Sequence, residues 1–429
     1  MMEILIVLCI LLTLLFLRIP VYLSLLMTGI LGLVFYTGLE LTFVAQTVVK
    51  KLENFSLLSI PFFILMGGVM TKGKSANQLI WFARKLVSFL PGGLAITGVI
   101  CSGVFGAISG SSISTVVTIG SVMFPNLKKY EYPDSFSIGL ITSSAILGII
   151  VPPSIIMIIC ALTAGVSVVG LFAAGYLPAV LIMAGLCFYA YIVSMQKGLG
   201  KTTMEKFSGT AFLSAARSAF FPFLIIAILF AGIYTGAFTI TEASVVSCVL
   251  AIILETGIYR AVGFKELHDL MVSCALMSGT LIITVSGAGG LSEYITFQGI
   301  PGRILDFSMQ YLPNGIVFLI FTDLLLLLVG TFLDPIGAIM ILVPILMPIA
   351  NQFGIDPIHY CLIITVALGI GYITPPLGLL LYTASAITKK DFLYITRSVM
   401  PTLGIYIAAL FIITFVPGIS TLIPNLLFK

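Results

Sequence analysis

Apolar stretches follow one another from about residue 3 to residue 423, with only short polar breaks between them. A bilayer core of about 30 Å takes about 20 apolar residues per helix, and inside it every peptide group must be bonded within its own segment. A chain patterned this way is expected to fold as an all-α bundle embedded in lipid. Composition agrees: AVILMFWYC supplies 60% of the 429 residues and DEKR only 8%, against about a quarter charged in a soluble domain. No appended soluble domain and no cleavable leader are expected, since the first apolar stretch lacks a basic flank and runs straight into further spans. The net charge of +4 is too small to suggest a nucleic-acid partner. Seven cysteines, Cys9, Cys101, Cys160 and Cys361 among them, include no CxxC pair, and His268 and His359 are far apart. Packing residues rather than a redox or zinc centre are expected.

Full spans are expected near 3–17, 20–37, 55–71, 135–165, 168–193, 218–238, 241–258, 268–288, 358–388 and 398–423. Two more stretches, 92–126 and 314–350, are interrupted by small, polar or proline residues and read as re-entrant hairpins. Basic residues test that reading. With ten spans and two hairpins, 16 of the 20 Lys and Arg, from Arg18 and Lys72 to Lys390 and Arg397, fall on one side, and Lys50, Lys51, Arg303 and Lys429 on the other. The positive-inside rule makes the first side cytoplasmic and both termini periplasmic. Counting either hairpin as a full span would weaken the bias.

Landmarks recur at one offset. Gly67-Gly68 matches Gly289-Gly290 and Leu90-Pro91 matches Leu312-Pro313 at 222; Pro125 matches Pro348, Gly148 matches Gly371, Pro152-Pro153 matches Pro375-Pro376, and Pro178 matches Pro401 at 223. Each copy holds five spans and a hairpin, an odd number of crossings, so the second copy is expected to be inverted. Inverted repeats with interrupted helices in matching places are the pattern of secondary transporters; duplication that persists in a channel or scaffold is the alternative. An amphipathic surface helix is expected between Lys72 and Leu90, with a counterpart from Tyr294 to Tyr311 carrying Arg303 and Asp306.

The breaks are where chemistry is expected, because unwound backbone in a membrane is tolerated only when buried or lining a cavity. An ending half-helix offers carbonyl oxygens to a cation, and a starting one offers N–H groups to a carboxylate. One Na+ is therefore expected at Ser109, Gly110, Ser111 and Ser112 with Gly148 and Pro152, and another at Thr331 and Asp334 with Gly371, Thr374 and Pro375. A small anion is expected between them, against Ser112, Ser114, Pro153, Ser154, Pro335, Gly337 and Pro376. The bland readings are close packing for Ser114, Thr115 and Gly120, and helix capping for Asp334 and Glu242. Asp323 is either an intramembrane functional acid or a shallow solvated one. No intramembrane Lys or Arg is evident as a counter-ion.

IPFFILMGGVM (60–70), GAISGSSISTVVTIG (106–120), ILGIIVPPSIIMI (146–158), GTFLDPIGAIMILVPILMPIA (330–350) and GIGYITPPLGLLLY (369–382) together resemble the large membrane subunit of tripartite ATP-independent periplasmic (TRAP) transporters over essentially the whole chain. The resemblance implies Na+-coupled uptake by an elevator mechanism. Scaffold helices and surface arms would occupy 1–91 and 218–313. Hairpins and transport-domain helices would occupy 92–193 and 314–429, joined by a cytoplasmic linker over 194–217. It further implies an inner-membrane location, a periplasmic substrate-binding protein, a separate small four-helix membrane subunit, and a carboxylate or sugar acid as substrate, sialic acid or a C4-dicarboxylate among them. A standalone divalent anion–sodium symporter is the rival, although its Ser-Asn-Thr tips are replaced here by Gly-Ser-Ser and Leu-Asp-Pro. A channel is a second rival. An enzyme would need a nucleophile–base or metal set that the sequence lacks.

Overall fold

The computed structural model describes residues 2–17, 19–37, 40–201 and 204–428, which are helical wherever they are regular. Arg18 and Lys429 of the charge split lie outside the described residues, as does the side chain of Asp306. Among the described residues, seven helices are long and apolar enough to cross a bilayer, or nine if each of two bent pairs is one span. The difference from ten expected spans is one of length. Met2–Phe16 and Val21–Gly32 have 15 and 12 residues, short of the usual 20 or so. Conversely Gly315–Phe332 and Pro335–Gln352, expected as one hairpin, have 18 residues each and are long enough singly.

The same order of elements occurs twice. Val21–Gly32 runs into a π-helical turn at Leu33–Thr37, and Ile240–Ile252 does the same at Ile253–Ile258. Ser75–Val87 and Ile300–Tyr311 are the amphipathic arms. Gly93–Ser109 with Ser112–Lys129 forms the first helical pair, and Gly315–Phe332 with Pro335–Gln352 the second. Each Pro-Pro interrupts a helix, because proline has no N–H to donate and its ring collides with the preceding turn. Leu147–Ile150 stops before Pro152-Pro153 and Ile155–Ala164 restarts beyond, with a bend of 43°. Pro357–Gly371 likewise stops before Pro375-Pro376, and Leu379–Thr388 restarts.

Packing is reciprocal between the copies. Val21–Gly32 lies along Phe264–Phe297, while its counterpart Ile240–Ile252 lies along Ser59–Lys72. Ile155–Ala164 packs on Pro335–Gln352, and Leu379–Thr388 packs on Ser112–Lys129. This exchange of partners knits the restarted half of each broken helix to the other copy's pair. Small residues allow the approach, as expected where packing rather than hydrophobicity holds helices together: a Cβ on Gly29 would sit 2.5 Å from the Leu291 nitrogen.

Three details differ from expectation. The second arm begins at Ile300 rather than Tyr294, because Phe264–Phe297 runs unbroken for 34 residues and the chain turns only at Gly299, φ +58°. The linker is not bare: Gly209–Ser218 is a helix packed on the first arm, with the Phe82 and Phe212 rings 5.5 Å apart. Leu41–Leu52 is an extra helix, hidden in the sequence by Gln46, Lys50 and Lys51 on its polar face.

Candidate functional site

Hydroxyls in lipid-buried helices usually return their hydrogen to the carbonyl one turn back. Thr97, Ser102, Ser144 and Thr365 all do so, at 2.7–2.9 Å. At the first tip Thr115 keeps that habit, donating to Ser111 O at 2.8 Å, but Ser109 departs from it. Gly110 sits at φ +60°, a left-handed conformation that ends Gly93–Ser109 and turns the chain back. The Ser109 hydroxyl lies 3.3 Å from both the Thr115 hydroxyl and the Ser111 carbonyl oxygen, while the Ser111 side chain caps Ser112–Lys129 by accepting from Ser114 N at 3.4 Å. Ser112 Oγ is buried without a hydrogen-bond partner.

This tip is pressed onto the first break. A Cβ on Gly106 would meet Gly148 Cα at 2.6 Å; one on Gly148 would meet Thr115 Oγ1 at 2.7 Å and Ser111 O at 2.8 Å; one on Gly110 would meet Pro153 O at 3.0 Å. Thus Ser109, Gly110, Ser111, Gly148 and Pro153 of the expected set are brought together. Ser154 instead caps Ile155–Ala164, accepting from Met157 N at 3.3 Å, and Pro152 lies against Gly175.

The second tip meets its own break in the same way. A Cβ on Gly371 would lie 2.3 Å from the Gly330 carbonyl carbon. Asp334 caps Pro335–Gln352, accepting from Ile336 N at 3.0 Å, and its other oxygen accepts from the Tyr372 hydroxyl at 2.9 Å. Thr331 and Thr374 bond back to the Leu328 and Ile370 carbonyls at 2.7 and 2.8 Å. Gly337 faces Val21, where a Cβ would come within 3.0 Å of its side chain. Pro375 and Pro376 are joined by a cis bond, as are Pro152 and Pro153.

A cavity of about 620 Å³ separates the tips from Ser59–Lys72 and Phe264–Phe297. Ser109, Gly110, Ser111, Ser112, Ser114 and Asp334 line it, whereas Gly148, Pro152, Pro153, Ser154, Thr331, Pro335, Gly337, Gly371, Thr374, Pro375 and Pro376 do not. Tyr372, Thr118, Ser273 and Lys72 also line it and were absent from the expected set. Tyr372 stands between the conspicuous Gly371 and the Pro-Pro pair, the one signal that could have found it. Lys72 ends an apolar span and so reads as an anchor in the surface loop.

Two other acids lie outside the tips; Asp323 is not shallow and solvated, and its Oδ1 is buried without a hydrogen-bond partner. Glu242 completes a reciprocal cap with Thr239, whose N and Oγ1 each donate to Glu242 Oε2 at 2.8 Å, as the capping reading expected. Asp323 is fully buried away from the cavity, accepting from Thr414 Oγ1 at 2.9 Å. Among the described residues no group of three or more His, Cys, Asp or Glu gathers to hold a metal.

Comparison with known proteins places this arrangement. The model of the tripartite ATP-independent periplasmic transporter DctM component matches residues 8–419. The C4-dicarboxylate TRAP transporter large permease protein of Rhodobacter capsulatus is 35% identical, over 99% of this chain and 100% of that protein. The sialic acid TRAP transporter large permease protein of Vibrio cholerae is 30% identical, over 96% of each. Among solved structures, the YdaH transporter of Alcanivorax borkumensis aligns with a TM-score of 0.60 and 14% identity, covering 88% of each chain, a likeness of fold alone. With glycine-bearing tips seated on Pro-Pro breaks and a family match spanning nearly all of its length, the chain belongs to the DctM component family of tripartite ATP-independent periplasmic transporters.

Proposed function

We propose that this chain is the Na+-coupled permease through which a small organic anion, delivered by a periplasmic binding protein, enters the cytoplasm. The observation that carries the reading is the doubled contact between tip and break, Gly106 on Gly148 and Gly330 on Gly371, flanking one cavity. Each contact gathers the carbonyl ends of two helices beside the N–H ends of two more, with opposite partial charges for a cation and an anion. Oxygen donors suit Na+ as hard ligands. Ser109 and Ser111 with Thr115 supply them at the first tip, and Asp334 with Thr331 at the second. Ser112 Oγ, buried and unpartnered, is free to bond the anion or an ion.

In this reading the two pairs and two broken helices move together past Ser59–Lys72 and Phe264–Phe297, and the repeats are inverted, with both termini periplasmic. Gly67 supports such a sliding face, since its missing Cβ would lie 2.8 Å from Ser109 Cα. A small four-helix subunit completes the scaffold in the inner membrane. The substrate is a carboxylate or sugar acid, and the relatives named for C4-dicarboxylate and for sialic acid bracket that class.

The test is uptake of labelled succinate and N-acetylneuraminate into proteoliposomes holding this chain and its small subunit, with the binding protein outside. Saturable uptake that needs inward Na+ and the binding protein is expected. Uptake that persists at equal Na+ on both sides with no gradient of solute excludes coupling, and robust uptake without the binding protein favours the standalone symporter.

A further inference from the structure

The charged side chains lining the cavity are Asp334 and Lys72. Asp334 is occupied on both oxygens, by Tyr372 and by Ile336 N. Lys72 is not held so firmly. Its Nζ stands 3.6 Å from Glu266 Oε1, both side chains about half exposed at 55% and 46%. Such a long, solvated pair contributes little and is readily exchanged for another carboxylate.

The backbone beneath Lys72, by contrast, is fixed. Glu255 is fully buried and accepts from Lys74 N at 2.8 Å, from Ser75 N at 2.9 Å and from the Ser75 hydroxyl. Gly73 passes so close that a Cβ would lie 2.0 Å from the Glu255 carboxylate. Lys74 Nζ donates to Tyr259 O at 3.2 Å. A carboxylate rising from Ile253–Ile258 thus clamps the turn that carries Lys72, at the C-terminal end of Ser59–Lys72 where a cation is also favoured by the helix dipole. The lysine is a solvated, loosely paired cation on a fixed base at the rim of the cavity. At the repeat offset of 222 its counterpart in the other copy is not a basic residue but Tyr294, buried in Phe264–Phe297.

We propose that Lys72 receives the substrate's anionic group as it leaves the tips on the cytoplasmic side, displacing Glu266. This rests on the permease reading above. Because the lysine belongs to the scaffold and the tips to the moving part, the carboxylate is handed from one to the other. Lys72 thereby selects for anions at release.

The experiment uses the whole complex in proteoliposomes, with wild type, Lys72→Met, Lys72→Arg and Glu266→Gln, and succinate or N-acetylneuraminate as probe. Half-saturation is measured for exchange against probe at the cytoplasmic face, alongside Na+ activation. Lys72→Met is expected to raise half-saturation about tenfold, the size of a lost hydrogen bond to a charged group, with Na+ activation unchanged. Lys72→Arg is expected to return it to within about threefold of wild type, since it keeps the charge. Glu266→Gln is expected to lower it, and glutamine still caps its helix. Wild-type half-saturation in Lys72→Met, or an equal shift in Na+ activation, overturns the proposal and leaves the permease reading standing. No uptake of either anion by wild type overturns both.

Discussion

The two tips share a plan and differ in their charge. At the first, a left-handed glycine sets the Ser109 hydroxyl 3.3 Å from both the Thr115 hydroxyl and the Ser111 carbonyl oxygen, with Ser111 N donating back to Ser109 Oγ at 3.4 Å. At the second, a carboxylate does the same work, held between Tyr372 and the start of Pro335–Gln352. The first gathers hydroxyl and peptide dipoles; the second adds a carboxyl group already met by two donors. If both tips hold Na+ as proposed, they are expected to bind it with unequal strength and to respond unequally to substitution.

The glycine contacts offer the sharpest break. Gly371→Ala would set a methyl 2.3 Å from backbone atoms of Gly330, which have nowhere to go. Loss of transport and about 3 kcal/mol or more of stability are expected, at the upper end for overpacking, measured by uptake and thermal unfolding. Gly148→Ala meets Thr115 Oγ1 at 2.7 Å and Ser111 O at 2.8 Å; these approaches are less severe than 2.3 Å and one of them is a side chain, so a smaller loss of stability is expected.

Removing the charge comes next. Asp334→Ala is expected to raise the Na+ concentration for half-activation about tenfold or more, as loss of a charged ligand should, while membrane insertion is retained. Ser109→Ala, which removes a neutral ligand, is expected to shift it about threefold. Normal Na+ activation in Asp334→Ala would remove that residue from the site and erase the contrast between the tips. Tyr372→Phe leaves Asp334 in place without its hydroxyl donor, worth about 1 kcal/mol, so a shift of about fivefold is expected in Na+ activation.

The smallest effect concerns the arms, which also differ because the chain has a single linker. Glu205 on the linker pairs with Lys85 and with Arg84 of the first arm, the latter at 3.0 Å. The hydrogen bond from Lys85, opposed by partial burial and aided by Arg84, holds the carboxyl below its usual range. A lowered folded value gives stability that is present above the unfolded carboxyl value and lost as pH falls through the folded one. Protection factors in 75–87, taken relative to the intrinsic exchange rate at each pH, should therefore fall below about pH 4.5, and Glu205→Gln should show that reduced protection at neutral pH. The effect should stay under about 1 kcal/mol, as for other exposed pairs.

Much of this was legible in the sequence because lipid leaves few choices. Pro152-Pro153 and Pro375-Pro376 had to break helices, and Gly148 and Gly371, 223 residues apart, each sit against a helical tip, Gly148 on Gly106 and Gly371 on Gly330. The arm at Ser75–Val87 followed from Arg84 and Lys85 set among Trp81, Phe82 and Leu86. What failed to show was long-range or context-bound. Nothing near Glu255 says that it will clamp a turn 180 residues away. Lys72 reads as a cytoplasmic anchor until the tips are folded against it, and Tyr372 reads as apolar filling until its hydroxyl meets Asp334. The extra helix Leu41–Leu52 was masked because a polar face lowers its hydropathy to that of a loop.

The most direct test is the sidedness of each helical pair's ends, since the pocket exists only if both pairs dip in and return. In a background lacking the seven native cysteines, single cysteines would replace Phe89 and Lys129 around the first pair and Tyr311 and Gln352 around the second, all exposed. Impermeant thiol labelling of intact and inverted vesicles should find 89 and 129 together on the cytoplasmic face and 311 and 352 together on the periplasmic one. Ends of either pair reacting from opposite faces would make that pair two full crossings and dissolve the shared pocket.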